Sequence, residues 1–504
     1  MTSSRSGNDP LAPPTDPKKH LDDLVAGAVR GMFGRDTVYT VLWGVQLVAA
    51  AFVTPVMTRA LDAPNFGAVA AANAVMQVAF VLAGFGLYPA IQRQYALSAG
   101  GRDPGKLLSF SILAAFLLTA VIDATGPVWA DQLGFDSYNG PVRLAVLWAG
   151  TSAITNSALA LLRSQDRLLA FGTVAMLQSV VAEVTSLVLV ILVDATATMF
   201  LLGQLIVQTI AACVALTLTP PRRLRFRDRQ LVQQALVFGL PLVPAVLCTF
   251  VLNSADRLIV QSELGAASVA RYQVAYNVGA LPMLLLGVLN SSWMPRIFSF
   301  KAVHERAAVI AASRDLLYRL LVPALVGLAV GAPIVLRIWA PPTYDPDTLL
   351  TVNAIVLVSA IPYAAGLAST RSLMAEGRTG YIALAQGVAA VVNVGLNLAL
   401  IPLYGLAGSA AATLLALALL HVLLAYRVRA IAPVKSPRWR LIAALVVTAG
   451  GALLISAVPA DRFLVVRLLV AVLTVLWFSF VFLNRTGVAR GTASPPSGSD
   501  RQAH

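Results

Sequence analysis

The sequence predicts an all-α integral membrane protein of about fourteen transmembrane helices, on three observations. The 504 residues are 58% hydrophobic and only 12% charged, where a soluble domain carries roughly 25% charged residues. Apolar runs of roughly 18 residues or more recur from Val38 to Phe482, each long enough to cross about 30 Å of hydrocarbon as a helix. The short loops between the runs alternate in charge. A spanning β-barrel would show alternating segments of about ten residues, and those are absent.

The spans fall at 38–58, 67–90, 108–126, 141–162, 170–193, 197–219, 234–261, 270–294, 316–339, 348–372, 380–402, 406–427, 438–458 and 463–484. One set of alternate loops carries Arg93, Arg102 and Lys106, then Arg163 and Arg167, then Arg222, Arg223, Arg225, Arg227 and Arg229. It continues with Arg296, Lys301, Arg306 and Arg314, with Arg371 and Arg378, and with Arg427, Arg429, Lys435, Arg438 and Arg440. The opposite set carries Asp131, Asp136, Asp345 and Asp347. The positive-inside bias places the first set, and both termini, in the cytoplasm. It also explains the net charge of +14 without nucleic acid, since no basic soluble domain exists to bind one. A missed or extra central helix would break the alternation, which supports an even count.

The chain repeats itself under a shift of 203 positions: Leu61 and Ala63 fall on Leu264 and Ala266, Gly84 on Gly287, Arg93 on Arg296, and Tyr95 on Phe298. The shift carries the first two spans onto the seventh and eighth in the same orientation. Two parallel repeats about an axis along the membrane normal are a common transporter plan, with the substrate path between them. The expected organisation is a cytoplasmic tail at 1–35, partly disordered, in which 21–33 is either a short surface helix or part of the loose tail, then a six-helix bundle at 36–219. A basic cytoplasmic linker at 220–233 leads to a second six-helix bundle at 234–427, two additional helices at 428–484 and a disordered cytoplasmic tail at 485–504.

Several stretches resemble one family, the oligosaccharide-lipid flippases of polysaccharide biosynthesis. That family lies within the superfamily of multidrug and toxic-compound exporters and the lipid II flippase. Thr54-Pro-Val-Met-Thr-Arg-Ala-Leu61 with Phe66-Gly67 is similar to its first helix and turn. Gly239-Leu-Pro-Leu-Val-Pro244, Ser254-Ala-Asp-Arg-Leu258, Leu264-Gly265 and Tyr272-Gln-Val-Ala-Tyr276 are similar to its seventh and eighth helices. Gly377-Arg378, Asn393, Asn397 and Leu400-Ile-Pro-Leu-Tyr-Gly-Leu-Ala-Gly408 form the most characteristic stretch. The resemblance covers roughly 36–430. It departs at Leu61-Asp62-Ala63, where the family has Leu-Gly-Pro.

The resemblance implies a V-shaped pair of six-helix bundles around a polar, cationic cavity in a bacterial plasma (inner) membrane. The implied activity moves an undecaprenyl-pyrophosphate-linked oligosaccharide from the inner to the outer leaflet by alternating access. Its partners would be that lipid-linked substrate, membrane lipids and polysaccharide polymerase or assembly proteins. The alternative within the superfamily is an ion-coupled multidrug or metabolite exporter, with a smaller, more aromatic cavity and acidic cation sites.

Ionisable residues inside spans are costly and mark functional sites by default. Glu183, mid-span between Ala182 and Val184, is the ion-coupling candidate; a structural hydrogen bond is the other reading. Arg257, beside Asp256, could present a guanidinium fork to pyrophosphate or lock its helix through an ion pair. Arg59 has the same two readings. Arg93 and Arg296, equivalent under the repeat, could form a cytoplasmic vestibule or only set topology. Asn253, Tyr272, Tyr276, Asn277, Asn393 and Asn397 either line the cavity or bridge helices.

No catalytic constellation, cofactor motif or metal-ligand spacing is expected. His20, His304, His421 and His504 are scattered, and Cys213 and Cys248 lie inside apolar runs. The outward loop around 127–140 is too short for a membrane enzyme of glycan assembly. Gly100 to Lys106 mimics a phosphate-binding loop but ends in Leu107 and follows a membrane helix. Gly327 and Gly331 form a close-packing motif.

Overall fold

The computed structural model describes residues 53–98, 101, 103–135, 137–225, 228–300, 302–431, 434–459 and 463–486. Both expected tails, the surface helix at 21–33 and most of the first span lie outside the described residues. The chain enters as helix α1 at 53–60, followed by α2 (Ala63–Gly84), α3 (Leu87–Leu97), α4 (Asp103–Trp129) and α5 (Pro141–Ser164). Then come α6 (Leu168–Leu192), α7 (Ala197–Leu218), α8 (Arg229–Gly239) and α9 (Leu242–Leu264). The remainder is α10 (Ala266–Gly279), α11 (Leu281–Ser299), α12 (Val303–Trp339), α13 (Leu350–Ala375), the long run Thr379–Ile431, and two final helices, Trp439–Ser456 and Leu464–Thr486. Every expected span from 67 onward falls on these helices, those at 67–90, 234–261 and 270–294 each running across two successive ones. Eleven described helices are long and apolar enough to cross a membrane, or twelve when the bent pair α10–α11 is one span.

The run Thr379–Ile431 is 53 residues, about 80 Å if straight, far more than one crossing of about 30 Å. It breaks at Gly405, whose φ of 57° and ψ of −137° leave the helical region. Glycine alone adopts such a backbone without a steric penalty. Tyr381 Oη donates to Leu423 O at 3.0 Å, though a straight helix would hold them about 63 Å apart. The two limbs, α14 (379–404) and α15 (406–431), are therefore an antiparallel hairpin, followed by α16 (Trp439–Ser456) and α17 (Leu464–Thr486). Buried Ser409 Oγ donates to Asn397 Oδ1 at 2.8 Å, while Asn397 Nδ2 donates to Asn393 O at 2.9 Å. This clasp holds the limbs together. Ser409→Ala is expected to cost about 0.6–1.7 kcal/mol, the range for hydrogen bonds between membrane helices, read as a lower thermal midpoint of the detergent-solubilised protein with transport retained.

Helix α2 begins at Ala63 and α10 at Ala266, the pair that the 203-residue shift superposes, and each is followed by a break and a second helix. The departure at Asp62 has a local reason. Its carboxylate accepts from the Asn65 N–H at 2.9 Å and caps α2, satisfying an otherwise orphaned donor of the first turn.

In the first half α2 packs on α5, and α5 on α4 and α7; in the second, α13 packs on α12 and on the α14–α15 hairpin. The halves meet where α2 lies against α9 and α10. The last two helices pack on α12: a Cβ on Gly327 would sit 2.5 Å from Thr474 Oγ1, and one on Gly331 3.5 Å from Ala471 Cβ. The glycine motif thus serves internal packing. Phe116, Leu117, Leu169, Leu192, Val447 and Leu476 are among the exposed apolar side chains, which hydrocarbon solvates and water would not.

Candidate functional site

A cavity of about 280 Å³ opens between the halves. Its wall draws Thr54 from α1, Asn73 and Gln77 from α2, Trp148 from α5, Glu183 from α6, and Phe200 and Leu201 from α7. From the second half come Ser254 and Arg257 on α9, Gln273 and Asn277 on α10, Leu281 and Leu284 on α11, and Trp339 at the end of α12.

Arg257 is the best-anchored cation. It is buried beside Asp256, and its Nη1 donates to Asp256 Oδ1 at 2.6 Å and to Asn253 O at 2.5 Å. Its Nε donates to Gln273 Oε1 at 3.1 Å, and the guanidinium lies 4.1 Å from the Tyr276 ring centroid. Tyr272 Oη, fully buried, donates to Asp256 Oδ2 at 2.7 Å. Both carboxylate oxygens are thus engaged, and the cation is neutralised where it stands. The chain of polar contacts runs on: Gln273 Nε2 donates to Asn277 Oδ1 at 2.6 Å, and Asn277 Nδ2 to Thr54 Oγ1 at 3.2 Å, tying α10 to α1. Ser254 Oγ donates to Gln77 Oε1 at 2.9 Å, tying α9 to α2.

Glu183 reaches the cavity from α6. A π-helical turn at Leu177–Val181 precedes it, a local widening that recurs at functional sites. Its neighbours Val181 and Val184 are exposed, so the carboxyl points inward. Glu183 Oε2 is buried with no hydrogen-bond partner, as are Gln204 Nε2 and Trp339 Nε1.

The residues singled out in the sequence part company here. Glu183, Arg257 and Asn277 line the cavity. Asp256, Tyr272 and Tyr276 stand behind Arg257 and hold it. Arg59 is off the cavity wall: its Nη1 donates to Pro55 O at 2.7 Å and its Nη2 to Ile338 O at 2.9 Å, because the carbonyls at the ends of α1 and α12 lie within its reach. Asn253 is exposed and bonds back to Thr249 O at 2.8 Å. Asn393 and Asn397 belong to the hairpin clasp. Arg93 is exposed, its guanidinium 4.8 Å from the Phe238 ring centroid. Arg296 lies in α11, its side chain outside the described residues. Among the described residues the wall carries one guanidinium and one carboxyl. Sequence reasoning missed Gln77, Gln273, Trp148 and Trp339; only the position of Gln273 beside Tyr272 pointed to one of them.

Arg371, read as a loop cation, is instead fully buried in α13. It bonds Asn290 Oδ1 at 2.6 Å and Ser313 Oγ at 2.8 Å and lies 5.5 Å from the Trp293 ring centroid. Lys106, the lure of the false phosphate loop, is engaged by Asp103 at 3.1 Å and Asp228 at 2.8 Å. The Lys106 ammonium and the Arg225 N–H hold the Asp228 carboxyl below its usual range.

The end of the molecule that carries Asp131, Asp345 and Asp347 is sealed. Thr58 Oγ1 donates to Trp339 O at 2.7 Å, Tyr344 Oη to Leu61 O at 2.9 Å, and Gln261 Nε2 to Gly134 O at 2.9 Å. Gly67 lies so close to Ala266 that a Cβ there would sit 1.7 Å from Ala266 O. Asp345 and Asp347 pair with Arg271 and Arg337. Among the described residues no cluster of His, Cys, Asp and Glu could hold a metal ion.

A family model described as "Polysaccharide biosynthesis protein" matches residues 56–342. No curated protein matches the chain in sequence. Among solved structures, it is similar to the lipid II flippase MurJ in an inward closed conformation, with a TM-score of 0.67 at 16% identity over 89% of this chain and 99% of that one. It is similar to a multidrug resistance MATE family transporter of the MOP superfamily, inward-facing, with a TM-score of 0.63 at 13% identity over 84% and 98%. A Vibrio cholerae MATE transporter gives a TM-score of 0.55 at 14% identity over 82% and 98%. At such identities the likeness establishes a shared fold.

Proposed function

Because the chain belongs to the polysaccharide biosynthesis protein family, we propose that it is a flippase for an undecaprenyl-pyrophosphate-linked oligosaccharide. It carries the headgroup from the inner to the outer leaflet of a bacterial plasma membrane, with both termini in the cytoplasm. The observation that carries this reading is the polar cavity between the two halves, sealed at the acidic end. A sugar chain cannot cross hydrocarbon unaided, since each unpaired polar group costs several kcal/mol there. The cavity offers amides, hydroxyls and charges in place of water, while the lipid tail stays in the bilayer. Rocking of residues 36–219 against 234–427 would break the acidic-end contacts and release the headgroup outward. Polysaccharide polymerase or assembly proteins would then receive the product.

One observation favours the exporter as the second reading. The wall holds one carboxyl, Glu183, and several aromatic rings, Phe66, Trp148, Phe200 and Trp339. A deletion strain separates the two. Intact lipid-linked sugar is expected to accumulate on the cytoplasmic side, and the wild-type gene is expected to clear it. Normal glycan export with new sensitivity to cationic drugs would instead establish the exporter.

A further inference from the structure

Helix α13 runs from the acidic end to Ala375 at the opposite, basic end. There the turn into α14 and the end of α15 enclose a pocket of about 420 Å³, lined by Gly377, Arg378, Gly380, Tyr381, Tyr426 and Arg427. It shares no residue with the cavity between the halves. Its two guanidiniums have no hydrogen-bond or ion-pair partner among the described residues. Arg427 lies 5.8 Å from the ring centroid of Tyr381, whose hydroxyl is engaged by Leu423 O. Glu376, the nearest acid along the chain, is paired with Arg306. Two like charges therefore share one pocket with no described acid to offset them.

The turn between α5 and α6 shows that the backbone does not require this. Asp166 there has a φ of 53°, as Gly377 has one of 68°, and the Arg167 N–H donates to Leu162 O as the Arg378 N–H does to Leu373 O. Yet Arg167 Nη1 donates to Leu218 O at 2.6 Å, closing on the end of α7. Arg378, in the same kind of turn, has no such acceptor among the described residues. Gly380 is an independent sign. A Cβ there would meet nothing within 4 Å, and its φ is not left-handed. Neither space nor backbone asks for glycine, the poorest helix former after proline, and its bare backbone leaves the pocket floor open.

Gly380, Leu384, Gly387 and Val391 follow at spacings of four, three and four, and so lie along one face of α14. Past Gly380 that face walls an apolar groove of about 500 Å³ against Pro244, Ala245 and Cys248 of α9. From Gly380 to Val392, the far end of the groove, the helix rises about 18 Å. That is close to one leaflet of a bilayer whose hydrocarbon is about 30 Å thick. We propose that the pocket and groove together form a site for an anionic phospholipid of the leaflet at the basic end. Arg378 and Arg427 hold its phosphate, Tyr426 lies at the headgroup level, and one acyl chain fills the groove between α9 and α14. An undecaprenyl chain is far longer than the groove, so the length selects an ordinary acyl chain. The bound lipid ties the α13–α14 turn to the end of α15. This site is separate from the transport path and does not depend on the flippase reading.

The test measures the full chain in detergent by native mass spectrometry, with phosphatidylglycerol and with zwitterionic phosphatidylcholine of the same chains. Wild type is expected to retain phosphatidylglycerol selectively. Arg378→Gln and Arg427→Gln are each expected to weaken it about fivefold, the contribution of one basic side chain at an anionic leaflet. Gly380→Leu fills the pocket floor without meeting the protein at its Cβ. It is expected to lose the selective retention, with a lipid-free thermal midpoint at or above that of wild type. Arg429→Gln removes an equal charge from an exposed position outside the pocket and is expected to change nothing. An equal loss from Arg429→Gln would reduce the site to general surface charge and overturn the proposal. Full competition by millimolar inorganic phosphate would overturn it in favour of a free anion. Displacement of phosphatidylglycerol by equimolar undecaprenyl phosphate would overturn it in favour of the carrier lipid. Wild type that holds both phospholipids equally would leave no anionic site at all.

Discussion

Arg257→Ala is expected to cost about 3–5 kcal/mol of stability, the price of stranding a buried charge, and to do so before any effect on ligand binding is measurable. The substitution leaves the buried Asp256 carboxylate with only the Tyr272 hydroxyl and the backbone N–H of residue 257 and no compensating charge, and it frees Gln273 from the Nε contact that orients it. Pairing it with the loss of the acid tests the cause. The double variant Asp256→Asn with Arg257→Gln removes both charges, keeps hydrogen-bonding groups in place and is expected to recover most of the thermal midpoint lost by Arg257→Ala. Fluorescence-detected size exclusion after a heating series measures this directly. A midpoint for Arg257→Ala equal to wild type would mean that the guanidinium is not structural and is free to meet a ligand.

The second large effect is expected at the sealed acidic end. Any side chain at Gly67 must push α10 away, because its Cβ would fall 1.7 Å from Ala266 O and 3.1 Å from Ala270 N, both backbone atoms that cannot rotate aside. Gly67→Val is therefore expected to wedge the halves apart at that end and to abolish transport while leaving each half folded. A reporter cysteine at Asn73, in the cavity wall, makes the opening visible once Cys213 and Cys248 are replaced by serine. In cells, an impermeant maleimide should label Asn73→Cys about tenfold faster when Gly67→Val is present, equivalent to a shift of about 1.4 kcal/mol in the balance of open and closed forms. Unchanged labelling of a monodisperse protein would show that the Gly67 contact does not hold the gate shut.

These two sites mark where reading from residues alone succeeds and where it ends. Asp256 and Arg257 are conspicuous because ionisable groups in an apolar run stand out, and the run alone supports both readings of Arg257. The structure gives Arg257 both a bonded shell and a place in the wall. Asn393 and Asn397 carried the same sequence signal as Asn277, yet they clasp a hairpin while Asn277 lines the cavity. Gln77 and Gln273 gave little signal, and Trp148 and Trp339 gave none, since aromatic residues in an apolar run resemble lipid-facing or core residues.

The sequence by itself determined the membrane class, the positions of the spans from 67 onward, and the family resemblance. These depend on composition, run length and local motifs, which are properties of the chain in order. Only the tertiary structure decided which polar residues share the cavity, that Arg59 ties two helix ends, that Arg371 is buried in α13, and that Gly405 turns one run into two helices. The physical reason is that a membrane helix is apolar toward the lipid and toward its neighbours alike. Without a polar outer face, helical periodicity cannot say which side looks inward.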